Sequence, residues 1–279
     1  GYITDEYLKP YAIFKNDMKD TYVDEMEICS EFEEGIVKQE FQVFYQPVVD
    51  ARTGKIVSAE ALVRWLHEQK GWISPGQFIP ALEKGGYISQ LDRYMIEKVT
   101  GCLDQRRAEK KRFVPVSVNL SWMDFYDENM LEWIVRGLKK NNQNEQKIRF
   151  EITETSLAAI GENHTRMLTH LKENGAEILL DDFGSGYSSF GMLQDYDFDI
   201  LKMDISFVRN IGVNKKSESI LRAIIDMAHQ LEIRLVAEGA ETEEQVAFLR
   251  ENGCDYIQGY YYYKPMPEKE FLQLLDEGK

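Results

Sequence analysis

Three cysteines in 279 residues, Cys29, Cys102 and Cys254, are too few and too scattered for a disulfide framework, and no C-x-x-C pair suggests zinc or redox chemistry. They read as core thiols in a reducing compartment, so a cytoplasmic location is expected. Long apolar runs are also missing. None approaches the ~20 residues a membrane helix needs, which predicts a soluble chain with no membrane contact of its own. There is no secretory signal, and the chain begins at Gly1 rather than Met, as expected of a piece excised from a longer protein. Basic residues are in deficit: 33 Lys and Arg stand against 48 Asp and Glu, a formal charge of −15. That argues against nonspecific binding to DNA, RNA or anionic lipid, and an anionic ligand would need something other than the chain's own charge to attract it. Histidine is sparse. His67, His164, His170 and His229 fall in predicted loops or helices, and "HEQK" is not a zinc-protease motif.

What is present is alternation. Strand-like runs occur at "FQVFYQPVV", "IVSAEALVRW", "FVPVSVNL", "IRFEIT", "AEILLDD", "DILKMD", "IRLVAEG" and "YIQGYYYY". Helical spacing fills most of the gaps, at 91–107, 123–140, 217–231 and 242–252. Eight strands with intervening helices predict an α/β fold, a TIM-type (β/α)8 barrel. One connection breaks the pattern. "VVDARTGKIV" joins the first two runs through a few turn-forming residues, too short for a parallel crossover, so the first strand should pair antiparallel and the barrel should be irregular there.

Polar residues gather at the C-terminal ends of these runs, where barrels of this type build their sites. They are Gln46, Glu60 and Arg64, Asn119, Glu151 and Glu154, Asp181 and Asp182, Lys202 and Asp204, Glu238 and Glu241, and Gln258. Period-two alternation puts Glu60, Leu62 and Arg64 on one face of their strand and Lys202 with Asp204 on another, leaving Leu201 and Met203 to pack outward. Any one acid could simply cap the following helix, as Asp182 or Glu154 could. The group, offset only by Lys202 and Arg64, is harder to dismiss, because two unit charges ~4 Å apart repel by about 4 kcal/mol at an effective dielectric near 20. Hard oxygen ligands without histidine favour Mg²⁺ or Mn²⁺, and the adjacent pair Asp181–Asp182 suits two ions. A lysine beside two such ions should have a depressed pKa.

The segments "SAEALVRW", "SVNLS", "EITET", "DDFGSGYSS", "LKMDISFV", "VAEGAET" and "GCDYIQGY" together resemble the successive motifs of EAL-domain phosphodiesterases, over roughly Glu40 to Pro267. The resemblance implies hydrolysis of cyclic di-GMP to linear pGpG, in an irregular barrel, with two Mg²⁺ or Mn²⁺ ions. By position it assigns Glu60, Asn119, Glu151, Asp181 and Asp182 to metal binding, with Asp181 bridging and Glu238 acting directly or through water. Lys202 matches the lysine that contacts the attacking water, and Glu154 the acid that anchors the loop after the fifth strand. Glu241 and Gln258 match further polar positions. Gln46, Leu62, Arg64, Asp92 and Gln258 are the implied substrate contacts. Tyr260 to Tyr263 offer either a stacking face for guanine or barrel packing. Departures are small: Ser185 stands for the usual Thr or Ala, Ala240 for Val, and the proline common before the sixth strand is missing. None removes a ligand, so a competent enzyme is expected, and a homodimer coupled through the loop after the fifth strand.

Residues 1–39 resemble the tail of a GGDEF domain followed by a linker helix, with Val23, Met26, Phe32, Ile36 and Val37 as its apolar stripe; an ordinary barrel-bottom cap is the alternative. Residues 40–279 form the expected phosphodiesterase barrel, with an upstream GGDEF-like or sensory domain in the longer protein. Two other functions fit parts of the pattern. One is a receptor that binds cyclic di-GMP without cleaving it. The other is an enolase-type lyase or isomerase, which also uses rim carboxylates, Mg²⁺ and a lysine but expects three acids on consecutive strands rather than an adjacent pair.

Overall fold

A computed structural model of the protein describes residues 16–140, 148–160, 164–186 and 189–279. The expected upstream tail falls largely on residues 1–15, outside that range, as do Tyr187 and Ser188 of the loop after Asp182. Two compact units are distinguished, Gly1–Phe41 with Arg64–Ile88, and Gln42–Val63 with Ser89–Lys279.

The larger unit carries most of a closed sheet. Its strands are β1 (Phe41–Asp50), β2 (Ile56–His67), β4 (Val116–Asn119), β5 (Ile148–Thr153), β6 (Glu177–Phe183), β7 (Ile200–Met203), β8 (Arg234–Glu238) and β9 (Tyr256–Gln258), with the two-residue β10 (Met266–Pro267) on the outer side of β1. Around the ring, β2, β4, β5, β6, β7, β8 and β9 run parallel to their neighbours in that order, β1 is antiparallel to β9, and a β1–β2 pairing closes the ring. The expected irregularity is therefore present. The tight β1–β2 turn has the chemistry its sequence promises: Asp50 Oδ1 accepts the Thr53 N–H at 2.6 Å, and Gly54 takes φ +70° while its N–H reaches Asp50 O at 2.8 Å.

Alternation along the strands sorts the side chains into layers. Val48, Leu179, Ile200 and Val236 form a small apolar cluster, with Tyr256 packed against it. Two residues further toward the rim stand Gln46, Asp181, Lys202, Glu238 and Gln258; on β1 the step runs backward because that strand is reversed. The intervening Leu180, Leu201, Met203, Leu235 and Ala237 belong to the large outer core shared with the helices, as the alternation required. One such helix, Lys215–Gln230, starts where Asn214 Oδ1 accepts from Lys216 and Ser217 N–H, and buries Leu221, Ile224, Ile225 and Ala228 at i, i+3, i+4 and i+7.

Strand lengths differ from the expected runs at two places. β4 begins only at Val116, after Pro115 has denied the ladder a donor. β9 ends at Gln258, where the chain turns back: Gly239 N–H donates to Gln258 O at 2.8 Å, and Tyr261 N–H to Ala240 O at 2.9 Å. A Cβ at Gly259 would sit 2.8 Å from Ala240 C and closer still to its N and O. Backbone cannot yield as a side chain does, so Gly259→Ala should cost about 3 kcal/mol and lower the melting temperature by roughly 6–12 °C in a thermal melt.

The smaller unit is held by aromatic packing. Phe41 stacks on Trp65 at 4.6 Å between centroids, Phe32 and Phe78 meet Phe41 edge-on, and Trp65 Nε1 donates to Glu40 Oε2 at 2.9 Å. The strand β3 (Gly71–Ile73) folds back antiparallel on the end of β2. The helix Asn16–Val37 corrects the expected stripe. From Asp24 onward its buried positions are Ile28, Phe32 and Gly35, spaced i, i+4, i+7, so Phe32 of the stripe is buried whereas Met26 and Val37 are exposed; the side chain of Val23 lies outside the described ones. At 100° per residue Met26 and Val37 project from the opposite side of the helix.

Candidate active site

Lys202 is the centre of the rim. Its Nζ lies 2.6 Å from Glu151 Oε2, 2.7 Å from Glu238 Oε1, 3.1 Å from Glu60 Oε2 and 3.3 Å from Asp181 Oδ1, with the lysine only 2% exposed. Four strands besides its own thus send a carboxylate to one ammonium. Glu60 is held further: Gln258 Nε2 donates to its Oε2 at 2.7 Å and Asn119 Nδ2 to its Oε1 at 3.3 Å. Gln258 also donates to Gln46 Oε1 at 3.2 Å, and Gln46 in turn to Tyr263 O at 3.4 Å.

Two acids in succession on a strand would normally face opposite sides. Here the β6–β7 register shifts between Leu180 and Phe183, and Asp182 takes φ +55°, a left-handed conformation that aspartate tolerates better than most residues. Asp182 N–H donates to Asp181 Oδ1 at 2.8 Å. The bulge brings both acids to one side, and Asp181 is shared by two groups of acids whose oxygens lie within 4.8 Å of one another, Glu60–Glu151–Asp181 and Asp181–Asp182–Glu238.

Five formal negative charges around one positive charge leave their mark on titration. Burial, joined by Asp181 and Glu60, pushes Glu238 up to about 8 against the pull of Lys202. Burial and then the charge of Glu60 hold Glu151 well above the usual carboxylate range, and burial with Asp181 raises Asp182. Burial opposes ionisation of Glu60 too, but Lys202, Gln258 and Asn119 outweigh it and its pKa falls. For Lys202, burial disfavours the charge, yet Asp181, Glu151, Glu238 and Glu60 keep the ammonium well above its ordinary value. The depressed lysine expected from the sequence is thus reversed in the protein alone, where acids rather than cations surround it.

The other expected residues divide. Glu154, buried at the start of the helix Glu154–Ile160, accepts the Gly184 N–H on Oε2 at 3.3 Å, and a Cβ at Gly186 would lie 2.7 Å from its Oε1. It grips the loop after β6. Asp204 instead caps the helix Ile205–Arg209 by accepting from Ser206 N–H. Glu241 is exposed, and among the described residues no hydrogen bond links its carboxylate to the Lys202 cluster. Leu62 and Arg64 follow Glu60 at two-residue steps along β2, partly buried. Asp92 is buried and accepts the Ser121 N–H at 3.2 Å. The tyrosines split: Tyr260 and Tyr261 are exposed, while Tyr262 and Tyr263 pack on the outer core. Sequence reasoning did not find Asp124, which is fully buried and accepts the same N–H at 2.9 Å. Nothing in a 32-residue separation signals that the two acids share a donor.

An α/β barrel whose rim gathers acids around one buried lysine defines a class of site suited to hard divalent cations. The chain belongs to the EAL domain family, whose profile matches residues 30–265. It is 32% identical over 252 residues to the cyclic di-GMP phosphodiesterase NbdA of Pseudomonas aeruginosa, covering 89% of this chain and 32% of NbdA. It is 33% identical over 232 residues to the probable cyclic di-GMP phosphodiesterase PdeG of Escherichia coli, covering 83% of this chain and 46% of PdeG. The chain therefore spans less than half the length of either. Among solved structures, the PaMucR phosphodiesterase in complex with c-di-GMP superposes with a TM-score of 0.79 at 30% identity, covering 88% of this chain and 99% of that one. The MucR protein of Pseudomonas aeruginosa, a bifunctional diguanylate cyclase and cyclic di-GMP phosphodiesterase, is 30% identical over 266 residues, covering 94% of this chain and 38% of MucR. No described helix is long and apolar enough to cross a membrane.

Proposed function

We propose that this chain hydrolyses cyclic di-GMP to linear pGpG with the help of two divalent cations, Mg²⁺ or Mn²⁺, as the cytoplasmic phosphodiesterase part of a longer signalling protein. The observation that carries the reading is the convergence of Glu60, Glu151, Asp181 and Glu238 on Lys202 within 2.6–3.3 Å, with Asp182 adjoining.

The donor set fits the cations. It is made of oxygen ligands only, its acids outnumber the one cation among them, and Glu151 and Glu238 are held above their usual range as acids short of positive charge are. Among the described residues the buried Gln258 Oε1, beside Glu60, has no hydrogen-bond partner. Glu60, Asn119, Glu151, Asp181 and Asp182 would hold the ions, with Glu238 direct or through water. When bound, such ions lower the pKa of a water and stabilise charge growing on a phosphoryl group. The chain's residues do the rest. Lys202 Nζ, held by its acids, would steer the attacking water's proton. Glu154 holds the loop after β6 so that Asp181 and Asp182 keep their aim. Gln46 and Gln258, joined to each other and to Glu60, would orient the substrate, with Leu62, Arg64 and Asp92 as further contacts. We extend the proposal to residues 1–39 as a linker from an upstream domain, and to a homodimer.

The test is chromatography of products after incubation with cyclic di-GMP. With Mg²⁺ or Mn²⁺ a single linear dinucleotide should appear, and excess EDTA should stop it. Nucleotide bound but uncut under both metals would instead make the chain a receptor, and undiminished hydrolysis in EDTA would remove the metals from the reading.

A further inference from the structure

The short helix after β7 lies between two strand ends that carry acids of the rim. It runs over Ile205–Arg209 from its Asp204 cap, and the strand it follows has β6 and β8 as neighbours. Asp204 N–H donates to Phe183 O at 3.3 Å, and Val208, 0% exposed, anchors the helix in the outer core. Ile205 and Phe207 press on backbone instead. A Cβ at Gly184 would lie 2.6 Å from Phe207 Cε2 and 2.8 Å from its Cζ, so the edge of the ring rests against the chain there. A Cβ at Gly239 would lie 3.1 Å from Ile205 Cβ and closer still to its Cγ1 and Cδ1.

Helix geometry explains how so short an element reaches both sides. Residues two apart project about 200° apart around the axis, so Ile205 and Phe207 meet opposite neighbours. The places they meet matter. Gly184 is two residues past Asp182, and Gly239 directly follows Glu238. Asp182 and Glu238 complete one acid group with Asp181, whereas Glu60 and Glu151 complete the other from β2 and β5. Asp182 also holds a left-handed backbone at φ +55°, a conformation that persists in a non-glycine residue only where its surroundings impose it. Close-packed contacts of this kind transmit displacement rather than absorb it.

We propose that Ile205 and Phe207 are positioning residues. They form a two-sided wedge that sets the spacing between the Asp181–Asp182 turn and Glu238, and through it the shape of a second cation site, acting by way of the Gly184 and Gly239 backbone. What the wedge does for cations rests on the phosphodiesterase reading; the wedge itself does not.

Amide hydrogen exchange in EDTA tests the wedge without metal or substrate. Ile205→Ala should free the Gly239 N–H, which donates to Gln258 O at 2.8 Å, and Phe207→Ala the Ser185 N–H, which donates to Asp182 O at 3.0 Å. Each amide should exchange about tenfold faster or more in its own variant and change little in the other. Val208→Ala, which loosens the same helix from the core, should lower the melting temperature without this crossed pattern. Mn²⁺ titration by calorimetry reads the consequence. Wild type should bind two ions, and each wedge variant should weaken one of them by about 10–100-fold, the range for a ligand that loses its support, while the other stays within a few-fold. Ile205→Val, which keeps Cγ1, should restore that affinity, and Val208→Ala should weaken neither ion.

If an alanine variant fails to fold, Ile205→Val and Phe207→Leu must still show the crossed exchange at smaller size. Exchange that rises at both amides together, or at neither, overturns the wedge, as does equal weakening of the two ions or the same weakening in Val208→Ala. A wild type that binds no Mn²⁺ overturns the link from wedge to cations. Crossed exchange and one weakened ion in a protein that leaves cyclic di-GMP uncut would keep the wedge and remove the phosphodiesterase reading.

Discussion

Asp181→Asn should abolish cyclic di-GMP hydrolysis, and Glu60→Gln should reduce it more than 100-fold, beyond the 10–100-fold typical of losing a group that only supports a metal ligand. The asymmetry comes from position. Asp181 belongs to both acid groups at the rim, whereas Glu60 belongs to one and is propped by Gln258 and Asn119. Neither substitution changes volume appreciably, so folding should survive, and both remove one formal charge from a cluster with too many. A melting temperature equal to or above that of wild type, in EDTA, is the expected companion result for Asp181→Asn, whereas Glu60→Gln should melt lower, because Lys202, Gln258 and Asn119 favour the ionised Glu60. Asp204→Asn is the control. It stands at the end of β7 and reads in the sequence much like Asp181, but its carboxylate caps the helix Ile205–Arg209. That change should be nearly neutral for stability, because asparagine caps a helix about as well as aspartate, and should leave turnover within a few-fold. Product chromatography and Mn²⁺ binding by calorimetry decide: Asp181→Asn retaining a tenth of wild-type turnover, or full Mn²⁺ affinity, would defeat the assignment.

That control also marks how far the sequence could be read. The barrel was legible because strand alternation and loop length are local properties, and they set the reversed β1 and the inward row from Gln46 to Gln258. The rim was legible as a level at which acids recur. Which acids meet was not, because that depends on register, and register at β6 is broken by a bulge no local pattern announces. Asp182 turns inward only through its left-handed backbone, and Asp204, one residue past β7, is already a helix cap. Glu241 shows the same limit of local pattern: three residues beyond Glu238 the chain has left the strand, and the residue is exposed. The Ser121 N–H that Asp92 and Asp124 share joins a helix to a turn through tertiary packing alone. The linker stripe was misread because Met26 and Val37 are apolar but lie half a turn from Ile28 and Phe32.

Lys202→Met is expected to separate the two things this lysine does. In EDTA at mildly alkaline pH the variant should lose about 3–5 kcal/mol, since removing one partner of a buried ion pair leaves charge uncompensated, and its melting temperature should fall by roughly 6–20 °C. The pH direction is fixed by the acids. Glu238 is pushed up to about 8 and Glu151 well above its usual range even with Lys202 present, and without the ammonium both should rise further. Acids with raised folded pKa values stabilise most below the unfolded carboxylate value and lose that contribution as pH climbs through the folded one. The deficit of Lys202→Met should therefore shrink on acidification, as Glu151 and Glu238 take up protons in place of the missing cation. Mg²⁺ or Mn²⁺ should shrink it at alkaline pH instead, because an ion bound only by the folded state adds stability by mass action and restores positive charge among the same oxygens. Hydrolysis should not return with either remedy, since neither replaces the Nζ protons. A variant as stable as wild type in EDTA at alkaline pH, or one whose melting temperature ignores divalent cations, would mean that the acids around Lys202 are not short of positive charge, and the reason for placing metals there would be gone.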